Sequence, residues 1–243
     1  IRDRAYAVVM TLSSLYLMPP KAGETVDLTK LSDDASDKLK KAAAAQTGRQ
    51  YTRREAVQTW EFWSLWWLFF TNITCGIGLL AVASPMAQEA VGMNAAGAAA
   101  LVGAIGIVNG LGRLAWSTLS DWMGRAATYV LFFVIETAAF FALVQTPSEA
   151  VFYILVLTII SCYGGGFSCM PAFLSDLFGV RQLSSIHGIM LTAWALAGIA
   201  GPMLLSVIKE TTGSYHQTML VFAGLMSAAL VLSIILKIKS TKH

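Results

Sequence analysis

Charge is scarce in this chain, and it is missing in runs. Aspartate, glutamate, lysine and arginine make up 13% of the 243 residues, against about a quarter in an average soluble domain. Six stretches almost exclude them: Phe62–Ala83, Val91–Gly112, Ala126–Thr146, Val151–Phe173, Ile186–Ile208 and Met219–Leu236. Glu136 and His187 are the only acidic or basic side chains inside those stretches. Cysteine is also sparse. Cys75, Cys162 and Cys169 all fall within the apolar runs, where they suit small packing positions, and no disulfide framework follows. No run alternates polar with apolar residues, which argues against a membrane β-barrel. There is no HExxH, no paired acidic motif and no Cys/His set with metal spacing, so neither an enzyme nor a metal or cofactor site is expected. The basic residues are scattered over separate loops, which excludes a nucleic-acid surface. No cleavable signal peptide is visible.

What remains is apolar length. A helix needs roughly 20 apolar residues to cross a hydrocarbon core about 30 Å thick, and each run comes near that. The chain is therefore expected to be an all-α membrane protein with six transmembrane helices in the lipid bilayer. Loop charge sets its orientation, because Lys and Arg collect on the cytoplasmic side. Eight basic residues from Lys21 to Arg54 precede the first run, Arg125 follows the second, Arg181 the fourth, and Lys237, Lys239 and Lys242 close the chain. The opposite loops carry only Lys209. This alternation predicts a cytoplasmic first linker and C-terminus. Within that linker, Ser32-Asp33-Asp34 ahead of Lys38, Lys40 and Lys41 reads as a short surface helix that suits the helix dipole. Thr52-Arg53-Arg54-Glu55 has capping-box spacing and is expected to start the first membrane helix. Trp60, Trp63, Trp66 and Trp67 read as an interfacial aromatic belt.

Two groups of residues carry a resemblance. Val108-Asn109-Gly110-Leu111-Gly112-Arg113, running on to Ser120-Asp121-Trp122-Met123-Gly124-Arg125, resembles the signature loop between the second and third helices of each half of the major facilitator superfamily. Ser161-Cys162-Tyr163-Gly164-Gly165-Gly166-Phe167 with Pro171 and Asp176-Leu177-Phe178-Gly179 resembles the tenth helix of its oxalate/formate antiporter group. Leu191-Thr192-Ala193-Trp194 with Gly201-Pro202 resembles the eleventh, and Asn72, Gly76 and Ser84-Pro85-Met86-Ala87-Gln88 the seventh. The signature loop departs from pattern at Ser117, Trp122 and Ala126, which weakens it as a charged gate. The resemblance implies the C-terminal six-helix half of such a transporter, built as two inverted three-helix repeats, with the N-terminal six-helix half missing. Residues 1–18, with the short apolar piece Ala5–Leu17, would then be the truncated end of a preceding helix. Residues 19–60 would be a cytoplasmic linker, 61–237 the membrane half and 238–243 a cytoplasmic tail.

The same resemblance implies secondary active transport of a small organic anion by alternating access across the plasma (inner) membrane. Arg113 would pair with a substrate carboxylate, a role that suits its guanidinium fork. Gly106, Asn109, Arg113 and Ser117 recur at helical spacing and share a face. Asn109, Tyr163, Phe167 and Trp194 would line the pocket with Arg113, although helix packing would equally use the aromatics. The oxalate-carrying members are expected to place a Lys near Trp194. Ile186–Ile208 has neither Lys nor Arg, so a single cation favours a monocarboxylate or formate-like anion. Asp121, Gly124, Arg125, Asp176 and Arg181 would form the gating loops. Glu136 is a candidate proton-coupling carboxylate, since intramembrane acids can relay protons. The Gly164–Gly166 run would let its helix bend or would serve close packing. A six-helix channel or a non-transporting membrane scaffold is the alternative.

Overall fold

In hydrocarbon every backbone N–H and C=O must find its partner within the chain, and a helix supplies that locally. The computed structural model describes residues 50–240, and among these there is no strand. A single turn, α1 (Arg53–Ala56), precedes six long helices: α2 (Trp60–Val91), α3 (Ala95–Met123), α4 (Arg125–Gln145), α5 (Glu149–Phe178), α6 (Leu183–Thr212) and α7 (Tyr215–Ser240). All six are long and apolar enough to cross a membrane. This is an integral membrane protein. The expected apolar piece Ala5–Leu17, the surface helix around Ser32 and most of the linker lie outside the described residues.

The helices outrun the uncharged stretches. The 32 residues of α2 extend about 48 Å at 1.5 Å each, past the hydrocarbon and through Pro85 and Glu89. Val91, expected to open the second span, instead ends the first. Asn94 caps the second, its Oδ1 accepting from Gly97 N at 2.8 Å. The capping box at Thr52 and Glu55 forms as expected, but it starts only the one-turn α1. Thr59 caps the membrane helix, accepting from Phe62 N at 3.2 Å. Absence of charge marks where a helix can be buried, whereas caps mark where it starts.

After three crossings the chain re-enters from the opposite side, so α5–α7 run inverted relative to α2–α4. The broadest helix contacts pair α3 with α5, α2 with α6 and α4 with α7. Exchanging one triplet for the other turns the first pair into the second and leaves the third unchanged. The α4–α5 and α2–α7 contacts exchange in the same way. That symmetry is the mark of two inverted three-helix repeats, half of a major facilitator fold. Buried aromatics, including Phe62, Phe69, Tyr129, Phe132, Phe133, Phe140 and Phe222, belong to the core along the length of the bundle.

The glycine run serves close approach. A Cβ at Gly164 would lie 2.5 Å from Asn109 Oδ1, one at Gly165 2.7 Å from the Trp116 side chain, and one at Gly166 2.6 Å from Asn72 Oδ1. Gly112 faces the Ser161 backbone equally closely. Small residues bring membrane helices together in this way, and α5 runs unbroken through them and through Pro171. Trp66 is also no belt residue. It is nearly buried, and its Nε1 donates to Thr192 Oγ1 on α6 at 3.0 Å.

Candidate functional site

α2 is the most covered of the six spans, and α3 and α6 are the least. The two least covered helices carry Arg113 and Trp194, and α5 brings them together. The Arg113 guanidinium lies over the Phe167 ring, 5.1 Å from its centroid. Phe167 meets Trp194 edge-on at 6.0 Å and tilts against Phe69 at 5.7 Å. The result is a continuous strip across α3, α5 and α6: a cation, an aromatic floor and a half-exposed indole. Both Arg113 and Trp194 are exposed.

A side chain on α3 reaches this position because α5 lets it lie flat. Gly164 offers no side chain, and a Cβ there would come within 3.4 Å of Arg113 Cγ. Asn109, one turn before Arg113, buries its Oδ1 against Gly164 without a donor, so its amide nitrogen is the end left for a ligand. The Arg113 turn is pinned from behind by two serines. Ser168 Oγ donates to Arg113 O at 3.1 Å and accepts from Ser117 Oγ at 2.9 Å. Ser117 is one of the departures from the signature loop, and here it joins α3 to α5. Tyr163 is almost buried, wedged against Gly76 of α2 and within the field of Arg113.

The residues expected to form the gating loops separate into two groups. Arg125 pairs with Asp121 and with Ser120 Oγ, and its Nε lies 3.6 Å from Asp176 at the end of α5. Gly124 makes the corner. Four of the expected residues therefore meet despite Trp122 and Ala126, and Trp122 points outward. Arg181 stands apart on the following turn, where its backbone N–H donates to Gln50 Oε1 at 3.0 Å. Asp121 is thus engaged with Arg125, and no carboxylate pairs with Arg113 among the described residues. Glu136 does not join the strip. It is fully buried, bonded to Asn72 of α2.

The family profile described as Major Facilitator Superfamily matches residues 5–202. This chain belongs to the Major Facilitator Superfamily. It is 27% identical over 170 residues to the uncharacterized MFS-type transporter YhjX of Escherichia coli, covering 70% of this chain and 42% of that protein. It is 29% identical over 197 residues to apicoplast pyruvate carrier 1 of Toxoplasma gondii, covering 74% and 34%. It is 27% identical over 169 residues to the oxalate:formate antiporter of Oxalobacter formigenes, covering 69% and 40%. The chain therefore spans roughly two-fifths of the length of these superfamily relatives or less.

Proposed function

We propose that this chain is the C-terminal half of a secondary transporter for a small organic anion, with the substrate carboxylate held by Arg113. The observation that carries this is a membrane-helix guanidinium seated on an aromatic ring with no carboxylate partner among the described residues. Such a cation costs about 2.5–3.5 kcal/mol at a helix centre when it faces lipid. Its presence on α3, one of the two least covered helices, therefore favours a face that meets protein and water. An N-terminal six-helix half packed there would enclose the pocket near the midplane. Asn109 supplies a second donor, and Phe167, Tyr163 and Trp194 supply the apolar wall.

One cation neutralises one carboxylate, so a monocarboxylate fits better than a dianion. By name, the pyruvate carrier among the relatives carries a monocarboxylate, and the oxalate:formate antiporter carries one monocarboxylate, formate, beside the dicarboxylate oxalate. Asp121, Arg125 and Asp176, with the Gly124 corner, act as the gate on the cytoplasmic side, Arg181 flanks it, and the C-terminus is cytoplasmic in the plasma membrane.

The test is counterflow in proteoliposomes of the complete protein, with mono- and dicarboxylates offered in turn. Loss of a charged hydrogen bond of about 1.5–3 kcal/mol predicts that Arg113→Ala lowers transport roughly 10–100-fold, with Arg113→Lys falling between. Saturable exchange separates a carrier from a channel, and its absence favours the scaffold alternative. Undiminished uptake by the alanine variant would reject Arg113 as the anion site.

A further inference from the structure

Behind the aromatic strip lies a buried polar cluster that anion binding does not use. Glu136 of α4 and Asn72 of α2 are both buried. Asn72 Nδ2 donates to both carboxyl oxygens, at 2.9 and 3.1 Å, while Asn72 Oδ1 has no donor and lies against Gly166 of α5. Tyr129, two turns before Glu136 on the same face of α4, donates to Gly166 O at 2.6 Å. The next residue is Phe167, the floor beneath Arg113.

This arrangement is half of a better one. A bare carboxylate accepts only, so it can use the amide nitrogen and must leave Oδ1 orphaned, which is costly in a low-dielectric interior. A carboxylic acid has one donor and one acceptor. A small rotation of the Asn72 amide then gives a cyclic acid–amide pair, with the Glu136 O–H donating to Oδ1 and Nδ2 donating to the other carboxyl oxygen. A single proton satisfies every polar atom of the pair and removes the buried charge. Among the described residues no cation pairs with Glu136. Cys75 of α2, Cys162 of α5 and Tyr129 are the titratable groups within reach of the carboxyl. α7, packed on α4, has no acidic or basic side chain between His216 and Lys237.

We infer that Glu136 and Asn72 form a proton-binding site one residue behind the anion pocket, and that the proton is carried together with the anion. This rests on the transport function proposed above. A carboxylate arriving at Arg113 brings one negative charge and the proton on Glu136 one positive charge, so the loaded protein gains none. Binding changes Glu136 from carboxylate to acid, and release reverses it with no other group involved. Asn72 is the positioning residue. Its amide orientation depends on the proton, and its oxygen touches the α5 turn that carries Phe167.

The complete protein in proteoliposomes, with a pH-sensitive dye inside, separates the outcomes. An inward anion gradient is expected to acidify the lumen with about one proton per anion. In Glu136→Gln the proton-to-anion ratio is expected to fall toward zero, whatever rate of anion movement persists. Net anion uptake without acidification in the parent protein, or an unchanged ratio in Glu136→Gln, would overturn proton coupling and leave the anion site standing. Infrared difference spectroscopy across a pH titration needs no transport. A protonated-carboxyl band that titrates, vanishes in Glu136→Gln and shifts in Asn72→Ala supports the pair. No titrating band, or one indifferent to both changes, refutes it.

Discussion

The corner between α3 and α4 and the corner between α6 and α7 are equivalent under the exchange of triplets, and they lie at opposite ends of the bundle. Each turns on a glycine with positive φ: Gly124 at +84° and Gly213 at +70°. Each is tied by a cation to an acid at the far end of a helix from the other triplet. At one corner Arg125 reaches Asp176 of α5. At the other Lys209 reaches Glu89 of α2. Lys209 also donates to Gly213 O at 3.2 Å and lies 4.1 Å from the centroid of the Tyr215 ring. The lock recurs, but the residues that make it do not. A guanidinium at the start of a helix does at one end what an ammonium at the end of a helix does at the other. Only the first resembles a motif, so only the first was visible before the fold was known.

The chemistry of the two locks differs enough to be measured. Arg125 is the less exposed cation and bridges two acids and a hydroxyl. Arg125→Ala should therefore have the largest effect, lowering unfolding stability in detergent by about 1.5–3 kcal/mol, the worth of charged hydrogen bonds. The glycines come next. Gly124 combines φ +84° with ψ 146°, a region open essentially to glycine alone, so Gly124→Asn should cost about 1–3 kcal/mol. Gly213, at φ +70° and ψ 3°, is in the left-handed region that Asn tolerates, so Gly213→Asn should be close to neutral in the same melt. Lys209→Ala should be smallest, about 0–1 kcal/mol, because Lys209 holds a single acid, where Arg125 joins a network, and isolated exposed pairs contribute little. Equal losses at both corners would mean the locks are interchangeable after all.

Much of the fold could be read from composition, because a missing charge over some 20 residues has few other meanings. The strip of Arg113, Phe167 and Trp194 was legible for a different reason: each belongs to a stretch resembling a known helix. The rest depended on partners distant in sequence. Asn72 lies 64 residues from Glu136 and Trp66 lies 126 from Thr192, and no periodicity within one helix announces such pairs. Ser168 looks like an ordinary small residue until α3 and α5 are side by side, and only then does Ser117, which stood out as a departure from the signature loop, show its partner. The glycine run allowed both bending and close packing, and only the neighbours Asn109, Trp116 and Asn72 decide for packing.

The most direct test of the central claim asks whether the exposed face of α3 and α6 meets water or lipid. Trp194→Cys in the complete protein can be reacted with an anionic, water-soluble thiol reagent, with Ile154→Cys on the exposed apolar side of α5 as the lipid reference. The native cysteines are buried and should stay silent. An anion pocket built around Arg113 predicts that position 194 labels readily, that position 154 does not, and that a transported monocarboxylate slows labelling at 194 alone. Equal inertness of both positions, or labelling at 194 indifferent to any anion, would contradict it.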